Sequence, residues 1–168
     1  MRLLHVDDEH ETLIEREKVT RRHDSLIPLS HDHHHALAQA RRLEAAASMT
    51  DVPERRRAAD DFINFYLGRL VRHFREEEEL FFAPLVDNDE SKDQVMQAVG
   101  EHLQMHALTR ALRSQLADGE ADPETLKRLS KLLTAHVRWE ERALLPLVER
   151  LLSPEQLQEF ATVGRRDV

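Results

Sequence analysis

The sequence predicts an all-α protein, an up-down-up-down four-helix bundle with a short C-terminal helix and an N-terminal arm. Three observations carry that expectation. Apolar positions recur at alternating three- and four-residue steps, most clearly in the run Leu126, Leu129, Leu133, His136, Glu140, Ala143 and Leu147. No stretch sustains an alternation of period two. Only 4 Gly and 6 Pro punctuate 168 residues, too few for the turns of a β-sandwich or barrel.

The punctuation sets the elements in order. Residues 1–24 are an arm of mixed charge, and residues 25–164 are the bundle. The first helix opens at Ser30 as N-cap, after an extended Ile27-Pro28, and runs to about Met49. The second follows Asp51, with Pro53 in its first turn, and continues to about Phe82, where Pro84 stops it. Ser91-Lys92-Asp93-Gln94 reads as a capping box for the third helix, which ends near Ala117 ahead of Gly119. Asp122-Pro123 starts the fourth, which reaches about Leu152 with a kink expected at Pro146. Ser153-Pro154-Glu155-Gln156 caps a short fifth helix ending near Gly164.

Composition narrows the function. The absence of Cys excludes disulfides, thiolate metal sites and a cysteine nucleophile. A formal net charge of −8 argues against nucleic acid or anionic lipid as partner. No run of 18 apolar residues is present and the first residues turn acidic before any apolar core, so we expect a cytoplasmic protein with no membrane partner. The 11 His are more than structure alone requires.

Several polar residues stand where the core should be. His73 and Glu77 lie on the stripe Phe62, Tyr66, Leu70, His73, Glu77, Phe81, and His136 and Glu140 on the stripe of the fourth helix. A buried carboxylate without a partner is costly, and a cation is its simplest compensation, since imidazole and carboxylate both ligate first-row metals. A His-x-x-x-acid spacing arises roughly twice by chance in such a chain, and His5 with Glu9 in the arm is read as a solvated coincidence. The other two are distinguished by a repeat. His73-Phe-Arg-Glu-Glu77-Glu78 and His136-Val-Arg-Trp-Glu140-Glu141 are each followed by an apolar run and then Pro-Leu-Val.

The third helix adds His102 and His106, four residues apart on one face. On the first helix His33 falls near the centre of the apolar face Ala36, Leu37, Ala40, Leu43, Ala47; His34 is the alternative if the helix is rotated, and His31 and His35 face solvent. Counting residues from each turn at about 1.5 Å per residue brings the pairs of helices two to four to one level. Seven ligand-type side chains therefore converge: His33, His73, Glu77, His102, His106, His136 and Glu140. Phe62, Phe65, Tyr66, Phe74, Phe81 and Trp139 are candidates for an apolar wall around them, or for ordinary core. Glu76, Glu78, Glu79 and Glu141 read as a solvated face or as partners of the ligands.

These motifs resemble the hemerythrin-like (HHE cation-binding) domain of the bacterial type, over about residues 25–160. The pattern is a histidine on helix one, His-x-x-x-Glu on helix two, His-x-x-x-His on helix three and a His–acid pair on helix four. The resemblance implies a non-haem di-iron centre, with His33, His73, His102, His106 and His136 as imidazole ligands and Glu77 and Glu140 as bridging carboxylates; zinc or manganese are possible substitutes. It implies binding of O2 or another small diatomic or anionic ligand, in sensing, storage or iron handling. Oxygen-carrying members place an aspartate five residues after the last histidine, whereas Glu140 follows His136 by four, as in the bacterial branch.

Other readings compete. The same centre can belong to an enzyme acting on peroxide, NO or O2. A ferritin-like oxidase needs Glu-x-x-His on two helices, and no Glu stands three residues before any His. A helical phosphohydrolase of the HD type is prompted by His31-Asp32, but Asp32 is expected off the apolar face. A metal-free interaction bundle would leave two buried glutamates without partners unless Arg69, Arg75 or Arg138 reaches them.

Overall fold

The structure, a computed structural model, describes residues 22–163. A 3-10 turn, Asp24–Leu26, leads into α1, Ile27–Ala47. The second rod is continuous but not uniform: α2, Val52–Phe65, passes through a π turn, Tyr66–Leu70, into α3, Val71–Glu77, then through a second π turn, Glu78–Phe82, and a 3-10 turn, Ala83–Leu85. The third rod is α4, Lys92–Ala117. The fourth is α5, Pro123–Trp139, with a π turn, Glu140–Leu144, and α6, Leu145–Leu151; α7, Pro154–Val163, follows. The described residues contain no strand. Among them no helix is long and apolar enough to cross a membrane. The arm expected over residues 1–24, with His5 and Glu9, lies outside the described residues except for its last three.

Short turns reverse the chain between rods, and α1 packs on α2 and α5 while α4 packs on the same two, which closes an up-down-up-down bundle. Two apolar clusters fill it. One runs from Ala36, Phe62 and Phe74 to Met105, Leu129 and Val137; the other gathers Leu29, Phe81, Val95, Ala98, Leu144 and Leu157. His33, Glu77, His102 and Glu140 fall in sequence between these clusters, and His73 and His136 stand one residue before the last members of the first cluster on their rods, Phe74 and Val137, so core borders the polar layer on both sides.

The ends of the rods show which local rules hold. Asp51 accepts from Glu54 N at 2.8 Å and Asp122 from Thr125 N at 3.0 Å, as N-caps should. Ser153 and Gln156 form the expected reciprocal box, at 2.9 and 3.3 Å. Gly119 ends α4 just past its last turn with φ +85, a conformation that needs no side chain.

Two expected starts are corrected. The first helix begins at Ile27, not Ser30, because Pro28 occupies the first turn, where its missing N–H costs nothing; the Ser30 hydroxyl instead donates to Glu141 Oε1 at 2.8 Å. Ser91 precedes α4 but does not cap it, since its hydroxyl is buried and donates to the Leu85 carbonyl at 2.9 Å. The prolines act through their missing donor as well. Pro84 and Pro146 each follow a π turn, which loosens the helix just ahead of the residue that cannot continue its ladder.

Replacing Asp122 with Ala is expected to cost about 1 kcal/mol in a denaturant titration with unchanged slope. Hydrogen bonds from Thr125 hold the Asp122 pKa below its ordinary value despite some burial. Its contribution is therefore complete above the ordinary carboxylate range and is lost as pH falls through the depressed value, so the wild-type advantage should vanish in acid.

Candidate metal centre

Helix geometry brings six of the seven predicted residues into one buried cluster. His33 comes from α1, His73 and Glu77 from α3, His102 from α4, His136 from α5, and Glu140 from the first position of the π turn after it. None is more than 2 % exposed. They form two overlapping groups that share both glutamates: His33, His73, Glu77 and Glu140, and Glu77, His102, His136 and Glu140, with ligand atoms within 4.8 Å of one another.

The imidazoles are oriented from outside. His33 Nδ1 lies 2.7 Å from Glu141 Oε1, His102 Nδ1 2.8 Å from Glu78 Oε1, and His136 Nδ1 2.8 Å from Glu101 Oε2. His73 Nδ1 faces Asp32 Oδ2 at the longer distance of 3.5 Å. Each carboxylate calls for a proton on Nδ1, which leaves the Nε2 lone pair aimed inward. These carboxylates are chain neighbours of ligands, yet each serves a ligand on the next rod. Asp32 of the first serves the second, Glu78 of the second the third, Glu101 of the third the fourth, and Glu141 of the fourth the first. Three of these contacts are hydrogen bonds, and the fourth, Asp32 with His73, is an ion pair at 3.5 Å in which His73 Nδ1 has no hydrogen-bond partner.

The geometry also repeats by halves. His33 and His73 have ring centroids 4.9 Å apart at 74°, and His102 and His136 4.9 Å apart at 71°. Their facing Nε2 atoms are 3.1 and 3.2 Å apart. That is the separation of two ligands on one ion with bonds of about 2.1 Å. Glu77 Oε1 and Oε2 and Glu140 Oε1 and Oε2 are buried with no hydrogen-bond partner, and the nearest imidazole nitrogens stand 3.2 to 3.8 Å away. Inward lone pairs and bare carboxylate oxygens converging on one space demand positive charge there. The donor set fits a pair of first-row cations.

Protonation follows the same demand. Burial opposes charge on His33, but the close carboxylates of Glu140, Glu141 and Glu77 overcome it and raise its pKa well above the ordinary value. His73, also buried, is lifted to about 9 by the Glu77 charge and by Asp32. At His102 burial wins and the pKa falls to about 4. Glu77 is held well below the carboxylate range, in spite of its burial, by the His73 charge and by the nearness of the His33 and His73 rings.

His106 is not brought in. Its exposed ring shares a 2.5 Å hydrogen bond between Nδ1 and the buried Tyr66 hydroxyl, and it stands outside both ligand groups. One helical turn from His102, it falls beyond the layer the six residues occupy. His34 is exposed and bonds the Ser30 carbonyl at 2.6 Å, and His31 and His35 are exposed.

Of the aromatic candidates, Phe74 stacks on His102 at 3.9 Å, while Phe62, Tyr66 and Phe81 are buried core and Phe65 and Trp139 are half-buried. Phe82, which the sequence did not single out, lies 6.0 Å from the His102 ring. Glu76 and Glu79 pair with Arg72 and Arg75 one turn away. Asp32, expected off the apolar face, is 8 % exposed; it faces Arg69 and His73, not a ligand cluster around His31. Asp32 and Glu101 are the functional residues that sequence reasoning missed. Their only signal is that each immediately precedes a ligand histidine.

Comparison with known proteins gives one match: the family described as Hemerythrin HHE cation binding domain aligns with residues 24–148. No curated protein and no solved structure matches the chain significantly.

Because His33 and His73 hold protons near neutrality, cation uptake should release protons, and affinity should fall as pH is lowered below about 9. Titration calorimetry of the metal-free chain with a divalent cation, in buffers of different ionisation enthalpy, measures this. A proton count of zero between pH 7 and 8 would contradict it.

Proposed function

Since the chain belongs to the hemerythrin HHE cation-binding family, we propose that it holds a non-haem di-iron centre that binds O2 or a related small ligand, in sensing, storage or iron handling. His33 and His73 would hold one iron, His102 and His136 the other, and Glu77 and Glu140 would offer carboxylate oxygens to both. The observation that carries this reading is the set of four buried carboxylate oxygens without hydrogen-bond partners, faced by two converging imidazole pairs.

Two imidazoles and one oxygen from each glutamate would offer each ion four protein donors. First-row cations that prefer six-coordination then keep positions for a small ligand. Bound there, a di-iron pair supplies reversible oxygen or anion ligation. The chain's own part is to hold the donors and keep them dry. Glu141, Asp32, Glu78 and Glu101 fix the rings, and Phe74 and Phe82 cover the His102 side. Imidazole and carboxylate also accept zinc or manganese, so iron is the reading of the family and of the nitrogen–oxygen donor mix together.

Elemental analysis after iron loading should find close to two irons per chain, and the near-ultraviolet spectrum should change on adding O2 or azide. Glu77→Ala and Glu140→Ala should each abolish the paired centre, whereas His106→Ala should keep both irons. Less than one iron under every loading condition would reject the centre. A spectrum indifferent to both ligands would reject small-ligand binding, and loss of an iron in His106→Ala would put that residue back among the ligands.

A further inference from the structure

The two halves of the centre repeat in their ligands but not in what stands behind them. Arg22 Nη2 lies 2.9 Å from Glu141 Oε2, and Arg69 Nε lies 2.6 Å from Asp32 Oδ1. The carboxylates that orient His33 and His73 are thus each tied to a guanidinium. Behind the other half, Glu101 Oε1 accepts from the neutral amide of Gln97 at 2.9 Å, and Glu78 pairs with no guanidinium or ammonium among the described residues, its nearby positive group being the titratable His106 imidazole rather than a fixed charge. The sequence repeat shows the same break. Arg69 stands four residues before His73, but the residue four before His136 is Leu132.

A carboxylate that accepts Nδ1–H enriches the ring and makes Nε2 the better donor. A guanidinium sharing that carboxylate draws the density back, and its own charge repels a cation across the low-dielectric interior. Both effects act against the His33–His73 position and neither acts on the His102–His136 position.

We propose that the two cation positions are inequivalent and fill in order: the first divalent cation binds between His102 and His136, the second between His33 and His73. Arg69 and Arg22 are the positioning residues that set the order. The inference rests on the two-cation reading above and adds to it a defined half-loaded state. With the two arginine side chains 41 % and 21 % exposed, solvent screens part of their charge, and the bias in affinity is about tenfold.

The test uses the full chain, freed of metal and loaded with cobalt(II). At a small fraction of one equivalent, anomalous scattering from crystals should give an occupancy about ten times higher between His102 and His136 than between His33 and His73. Stepwise binding in solution would not suffice, because two like cations repel each other even in identical sites.

Arg69→Leu, which installs the residue of the repeat, should move the occupancy ratio toward one with total cobalt unchanged. Arg69→Lys should keep much of the bias, and Arg22→Gln, on a separate contact, should move the ratio in the same direction as Arg69→Leu. Equal occupancy in the wild type, preference for the His33–His73 position, or a ratio indifferent to both Arg69→Leu and Arg22→Gln overturns the order while leaving the two-cation reading intact. Failure to take up two cobalt ions in excess metal overturns that reading, and the order with it.

Discussion

Two glutamates with bare oxygens at the centre of a helical bundle are the constraint around which the rest of this molecule is arranged. Glu77 and Glu140 are sealed from water and lack hydrogen-bond donors, in surroundings where an uncompensated charge is expensive. The facing imidazoles do not relieve them as neutral groups, since the outer carboxylates call for the ring protons on the far nitrogens. Positive charge has to come from protons or from cations. The raised pKa values of His33 and His73 are what the site does with protons; the 3.1 and 3.2 Å spacing of the imidazole pairs suits it to cations.

The scaffold meets this demand with local devices. A π turn begins at Glu140, and another begins directly after Glu77, so each of the two buried glutamates lies where the helix widens by a residue. The prolines that follow cannot complete the ladder, which makes the looser turn the natural path for the chain. Apolar clusters above and below then isolate the layer, and Phe74 packs directly on a ligand ring.

Much of this was legible in the sequence. Period and punctuation located four rods and the short last helix, because capping by Asp51 and Asp122 and the glycine stop at Gly119 are local rules that tertiary packing left alone. The repeated His-x-x-x-Glu-Glu was visible as charge on an apolar stripe. What was missed was decided between rods. His106 shares the face of His102, but whether it reaches the layer depends on one turn of axial displacement, and Tyr66 meets it instead. Ser91 fits a capping pattern, yet a carbonyl from the preceding turn takes its hydroxyl. Asp32 and Glu101 look like ordinary acids until the neighbouring rod brings a histidine to them.

The closed circuit of outer carboxylates has a mechanical consequence. A bundle whose rods touch only through side-chain grease can splay at one seam and leave the other three undisturbed. Here three seams are latched by a hydrogen bond between an acid on one rod and a ring on the next, and the fourth by an ion pair, so prising two rods apart also disturbs a ring that faces the centre. Breathing in this molecule is thereby made collective.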